Sequence, residues 1–101
     1  MNQTILHTMP KIIIPTPLRK FTGNNAAVET EGRTVAEAFD RLTGQYPELK
    51  RHLYDESSRI RSFVRIYVGD DDINGLQKED TPLDASSVVS IIPAIAGGVP
   101  D

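Results

Sequence analysis

There is no cysteine among the 101 residues of this chain. That absence removes disulfides, thiolate metal sites, CxxC redox chemistry and a cysteine nucleophile together. The two histidines, His7 and His52, are too far apart for the ligand spacing of a zinc site, and both read as surface residues. No apolar run approaches the roughly 18–20 residues that a membrane-spanning helix requires. Positive charge is not in excess: the formal net charge is −3, which offers no general grip on nucleic acid or an anionic membrane. Residues 1–10 lack the basic start and long apolar centre of a secretory signal, so the expected location is cytoplasmic. No acid–base pair, nucleophile triad or phosphate loop stands out. The expectation is therefore a protein that is not itself an enzyme, holding no metal and no bound cofactor.

What is present describes one folded unit. A hydrophobic fraction of 39% with 25% charged residues is that of a soluble globular domain, and the length suits a single core. Residues 1–10 are weakly patterned and read as a flexible leader. Ile12-Ile13-Ile14, stopped by Pro15 and Pro17, predicts a first strand. Thr22-Gly23-Asn24-Asn25 has turn chemistry, and Ala26 to Glu31 predicts a second strand with Val28 facing inward. Thr34-Val35-Ala36-Glu37 has the form of a capping box. Val35, Ala38, Phe39 and Leu42 then recur at helical spacing, with Gly44 as the expected end. Pro47 suits the first turn of a short second helix reaching Leu53.

Asp55 to Ser58 reads as a polar loop. Phe63 to Val68 alternates and is the strongest strand: Val64, Ile66 and Val68 share one face, and Phe63, Arg65 and Tyr67 the other. Gly69 to Gly75 reads as a solvated loop; its three aspartates lack the spacing and distal glutamate of a calcium loop. Asp80 to Leu83 is another loop, and Val88 to Ile92 a last strand. A hairpin, a helix and then further strands form an α+β arrangement. The order is that of a β-grasp: a mixed four- to five-stranded sheet packed on one main helix.

The last strand runs out through small residues to Gly97-Gly98. A tail without Cβ atoms can lie extended in a narrow channel and bring its end close to a nucleotide, which is what chemistry at a main-chain carboxylate requires. The competing reading is an end without function.

The segment Ile91-Ile92-Pro93-Ala94-Ile95-Ala96-Gly97-Gly98 resembles the C-terminal signature of the ThiS/MoaD family of ubiquitin-like sulfur carriers, and within it the CysO type of cysteine biosynthesis. Ile14-Pro15-Thr16-Pro17-Leu18-Arg19 with Thr22-Gly23 is similar to their first strand and turn. Arg61 to Val68 is similar to their central strand, and Asp55 to Ser58 to the loop before it. The resemblance spans about Lys11 to Gly98. It implies a β-grasp fold and an E1-like enzyme that adenylates the terminal glycine with ATP. It further implies a thiocarboxylate that donates sulfur to a biosynthetic enzyme, for the CysO type a pyridoxal-phosphate-dependent cysteine synthase. ATP and pyridoxal phosphate belong to those partners. Thiamin-type and molybdopterin-type recipients stay open, as do a protein modifier joined through Gly98 to lysines and an interaction domain that never uses its tail.

One departure stands out: Gly98 is followed by Val99-Pro100-Asp101, so its carbonyl is an amide. The expectation is a removable extension, cleaved between Gly98 and Val99 by a JAMM-type metallopeptidase; the competing reading is a tail that blocks activation permanently. Strand alternation adds a candidate partner surface, Phe63, Arg65 and Tyr67 beside the last strand, extended by Ile92 and Ile95 towards Ala96 and Gly97. The same residues could equally cover the sheet for stability. Arg19 and Lys20 read as solvated surface charges.

Overall fold

The structure is a computed structural model and describes residues 9–93. Its elements are strand β1 (Lys11–Ile13), a 3-10 segment (Thr16–Phe21), β2 (Ala27–Glu29), helix α1 (Val35–Gln45), helix α2 (Pro47–Leu53), β3 (Val64–Val68), β4 (Asp71–Asp72), two further 3-10 turns and β5 (Val88–Pro93). The five strands form one sheet in the order β2-β1-β5-β3-β4. β1 is antiparallel to β2 and parallel to β5, while β3 is antiparallel to both β5 and β4. The sheet is therefore mixed, and the final strand lies in its middle.

One face of the sheet is covered. Val35, Ala38, Phe39 and Leu42 of α1 and Leu49 and Leu53 of α2 are fully buried. They pack in one cluster with Ile12, Val28, Val64, Ile66, Val89 and Ile91 from the strands. Each large side chain so buried contributes roughly 1.5–3 kcal/mol by leaving water. This is the sheet-on-helix core that the 2-residue and 3.6-residue periodicities predicted.

The start of α1 follows the expected cap with one change. The Glu37 N–H donates to Thr34 Oγ1 at 3.2 Å, but the returning Glu37 carboxylate accepts from the Arg33 N–H at 3.0 Å, one residue before the cap. Just upstream, Gly32 is buried against the helix. A Cβ at this position would sit 2.6 Å from the Ala38 nitrogen. The chain can pass there only without a side chain.

Two sequence expectations are corrected, and one segment has structure that the sequence did not signal. Gly44 does not end α1, which continues through Gln45. The break comes at Tyr46 (φ −127°, ψ 80°), because the ring of Pro47 pushes the preceding residue out of the helical region. Residues 69–75 are not all loop: Asp71 and Asp72 pair with Val68 and Tyr67 as an edge strand. Carboxylates on so short an edge discourage further strands from adding to it. Residues 16–21 form a 3-10 segment that lengthens the β1–β2 connection, opened by Pro17 near its first position, with Leu18 buried. The turn itself is as expected: Gly23 and Asn24 both have positive φ (63° and 65°), and the Asn25 N–H donates to Thr22 O at 3.1 Å.

Candidate functional site

The face of the sheet opposite the helices carries the candidate surface. Odd positions of β3 and even positions of β5 point there, and the pairing sets them side by side: Arg65 lies opposite Ile92, and Tyr67 opposite Ser90. Phe63 and Ile92 are 45% and 46% exposed, high for side chains of their size, while Val64 and Ile66 on the other face are buried. Arg65 is exposed and Tyr67 half-buried. The structure thus brings together four of the five predicted contact residues. Ile95 lies outside the described residues, as do Ala96, Gly97, Gly98 and Val99.

The surface is also wider than strand alternation alone indicated. Val88, 39% exposed, stands four residues before Ile92 on the same face of β5. Ile13, opposite Ser90 on β1, is half-buried beside them. The signal for both was available as alternation around Ile12 and Val89. It needed the β1–β5 pairing, which joins chain segments more than seventy residues apart, to become a surface.

Arg65 is held in place on this face. One of its guanidinium nitrogens lies 3.2 Å from Asp72 Oδ2 on β4. The arginine side chain is 54% exposed, so the bridge contributes only about 0.2–1 kcal/mol. Its effect is to orient the guanidinium across the face rather than to hold the fold.

β5 lies between β1 and β3, and Pro93, opposite Val64, is its last residue. The chain therefore leaves from the middle of the sheet, next to Phe63 and Ile92. Gly98 is five residues further on, within at most roughly 17 Å of extended chain.

The titratable groups with shifted pKa values are elsewhere. Burial, followed by the charges of Glu79 and Asp40, pushes the Tyr54 hydroxyl up to about 12. Backbone N–H bonds from Arg59 and Ser57 hold Asp55 below the usual carboxylate range. Asp84 is lowered in the same way, chiefly by the Ser86 hydroxyl. None of the three lies on β3 or β5. Among the described residues no group of three or more His, Cys, Asp or Glu side chains could hold a metal ion, and no helix is long and apolar enough to cross a membrane.

Comparison with known proteins places this geometry. The model of the ThiS family matches residues 12–98. The sulfur carrier protein CysO of Mycobacterium tuberculosis is 35% identical over 89 residues, covering 86% of this chain and 96% of that protein. Among solved structures, the Amycolatopsis orientalis BexX/CysO complex contains a chain that superposes with a TM-score of 0.80 at 31% identity, covering 88% of this chain and 99% of that one. Small archaeal modifier protein 1 of Methanosarcina acetivorans superposes at 0.79 with 26% identity, covering 91% and 98%. Both superpositions extend over the β-grasp sheet and its helices, confirming the fold expected from the order of elements. With the family model spanning nearly all of the folded unit, and a relative more than a third identical along almost its whole length, this chain belongs to the ThiS family.

Proposed function

We propose that this chain is a sulfur-carrier protein whose working group is the carboxylate of Gly98. The observation that carries this reading is where the family match stops: it ends on Gly98, with Val99-Pro100-Asp101 beyond it. The likeness to CysO supports a carrier role, and the absence of cysteine leaves the main-chain terminus as the place to hold sulfur.

Hydrolysis of the Gly98–Val99 amide, by a metallopeptidase of the JAMM type, frees the carboxylate. A carboxylate oxygen attacks the α-phosphorus of ATP in an E1-like adenylating enzyme, and pyrophosphate leaves. A sulfide-level sulfur then attacks the acyl carbon of the mixed anhydride and AMP leaves, giving a thiocarboxylate. That sulfur passes to a biosynthetic enzyme, a pyridoxal-phosphate-dependent cysteine synthase in the pathway favoured here. The carrier contributes a narrow tail and a recognition face, and the partners hold the ATP and pyridoxal phosphate. The role is that of a protein co-substrate.

Mass spectrometry tests it directly. The form ending at Gly98, incubated with ATP, the host's adenylating enzyme and a sulfide source, is expected to exchange one oxygen for sulfur, while the 101-residue form stays unchanged. Sulfur uptake by the uncleaved chain would refute the processing step. A second reading, a modifier joined through Gly98 to lysines, is favoured by the likeness to an archaeal modifier protein. Diglycine-bearing lysines in host peptides, dependent on this chain, would distinguish it.

A further inference from the structure

Beside the point where the chain leaves β5 lies a groove of about 530 Å³, between the 3-10 segment 16–21, α2 and the start of β3. Pro17, Phe21, Phe63 and Pro93 give it apolar walls. Among the described residues its charged lining is of one sign: Lys20, Arg51 and Arg61 line it and no carboxylate does, although the whole chain has a net charge of −3.

The cationic side is structured. The Phe21 ring stacks on His52 with centroids 4.2 Å apart, and Lys20 Nζ stands 5.3 Å from the Phe21 centroid. The Arg61 Nε–H donates to Arg51 O at 2.9 Å, which ties β3's approach to the last turn of α2. The ion pairs among the described residues, Arg41 with Glu31 and Arg65 with Asp72, involve none of these three cations. Phe63 belongs to both the groove and the open sheet face, and Pro93 to both the groove and the tail exit. The groove is thus continuous with the proposed recognition face.

The geometry points to this groove as the docking site for an acidic peptide segment of the adenylating enzyme, one that carries apolar side chains between its carboxylates. This inference rests on the sulfur-carrier reading. Cations gathered on one wall attract carboxylates during encounter and bind them in register, even though Asp55 shares the field of Arg61 on the far side. Apolar walls between them reward burial of an aliphatic or aromatic side chain. A contact beside Pro93 also lies only five residues along the chain from Gly98. A nucleic-acid strand fits poorly, because it needs a longer basic track than three side chains on an acidic protein.

The test is ATP–pyrophosphate exchange by the host's adenylating enzyme with the form ending at Gly98. Lys20→Glu combined with Arg51→Glu is expected to raise the KM for the carrier about tenfold with kcat held. The variant should also lose most of the rise of KM with salt that screening imposes on the unaltered carrier. Lys20→Arg with Arg51→Lys is expected to keep the original KM, and thermal melting checks that each variant is folded. Should the double reversal unfold the domain, Lys20→Gln and Arg51→Gln taken singly give the same reading with smaller shifts. An unchanged KM and salt dependence in the folded variants overturns the groove as a docking site. No exchange from the unaltered Gly98 form overturns the sulfur-carrier reading instead.

Discussion

Ile91 and Ile92 are neighbours in sequence, identical in chemistry and set on the same strand, yet one is 1% exposed and the other 46%. Ile91 packs with the helices in the core, while Ile92 lies beside Arg65 on the open face. The pair divides the sheet into a face that holds the fold and a face left open. Hydrophobicity does not distinguish them, since both would be classed as core. What does distinguish them is the pleat of β5 and the fact that α1 and α2 cover only one side.

The comparison is broken most directly by truncating each isoleucine in turn. Ile91→Ala is expected to cost about 2–5 kcal/mol through lost burial and the cavity left behind, a large share of the roughly 5–15 kcal/mol that holds such a domain together. Ile92→Ala should change stability by no more than about 0.5 kcal/mol, yet weaken binding to the proposed adenylating enzyme, as should Arg65→Glu. Urea unfolding and titration calorimetry read the two effects separately. Equal stability losses at 91 and 92 would remove the distinction between the faces.

A second test concerns a position with no side chain at all. Gly32→Ala is expected to destabilise by about 1–3 kcal/mol, because the added methyl meets backbone atoms of α1 that cannot move aside cheaply. The mirror substitution Gly75→Ala, where a Cβ meets nothing within 4 Å, should be close to neutral. If Gly32→Ala melted like the unaltered protein, the packing of the chain against the start of α1 would be looser than described.

The last test is a pH dependence of the covered side. Tyr54 has its pKa raised to about 12 from 10.0, so the folded state holds that proton more tightly than the unfolded chain does. Its contribution is therefore complete below pH 10 and is lost as the pH rises towards 12. Tyr54→Phe should flatten that part of the stability profile while leaving partner binding unaffected. An unchanged alkaline slope in chemical denaturation would show that Tyr54 is more exposed than the structure places it.

Much of the fold was legible because its signals are local. The alternation of Phe63 to Val68, the helical spacing of Val35, Ala38, Phe39 and Leu42, and the turn chemistry of Gly23-Asn24 each need only a few neighbours to operate. The mistaken details share a different cause. Gly44 looked like a helix end, but Pro47 acts on Tyr46 and sets the break two residues later. Asp71-Asp72 looked like loop because charge disfavours strands in general, whereas a short edge tolerates it and Arg65 balances it. The 3-10 segment 16–21 was hidden by Pro15 and Pro17, which read as strand breakers and carry no signal of their own for a 3-10 turn.

The candidate site divides in the same way. Sequence alone determined the absence of thiol chemistry, the diglycine at 97–98, the three residues after it and the two-faced character of the central strand. Those features depend only on covalent structure and on the two-residue repeat of an extended chain. Tertiary structure decided that β5 runs between β1 and β3, so that the tail leaves beside Phe63 and Ile92. It also gathered Lys20, Arg51 and Arg61 around one apolar groove. Both outcomes depend on long-range pairing, whose free energy comes from burying a shared core, and no stretch of a few residues encodes it.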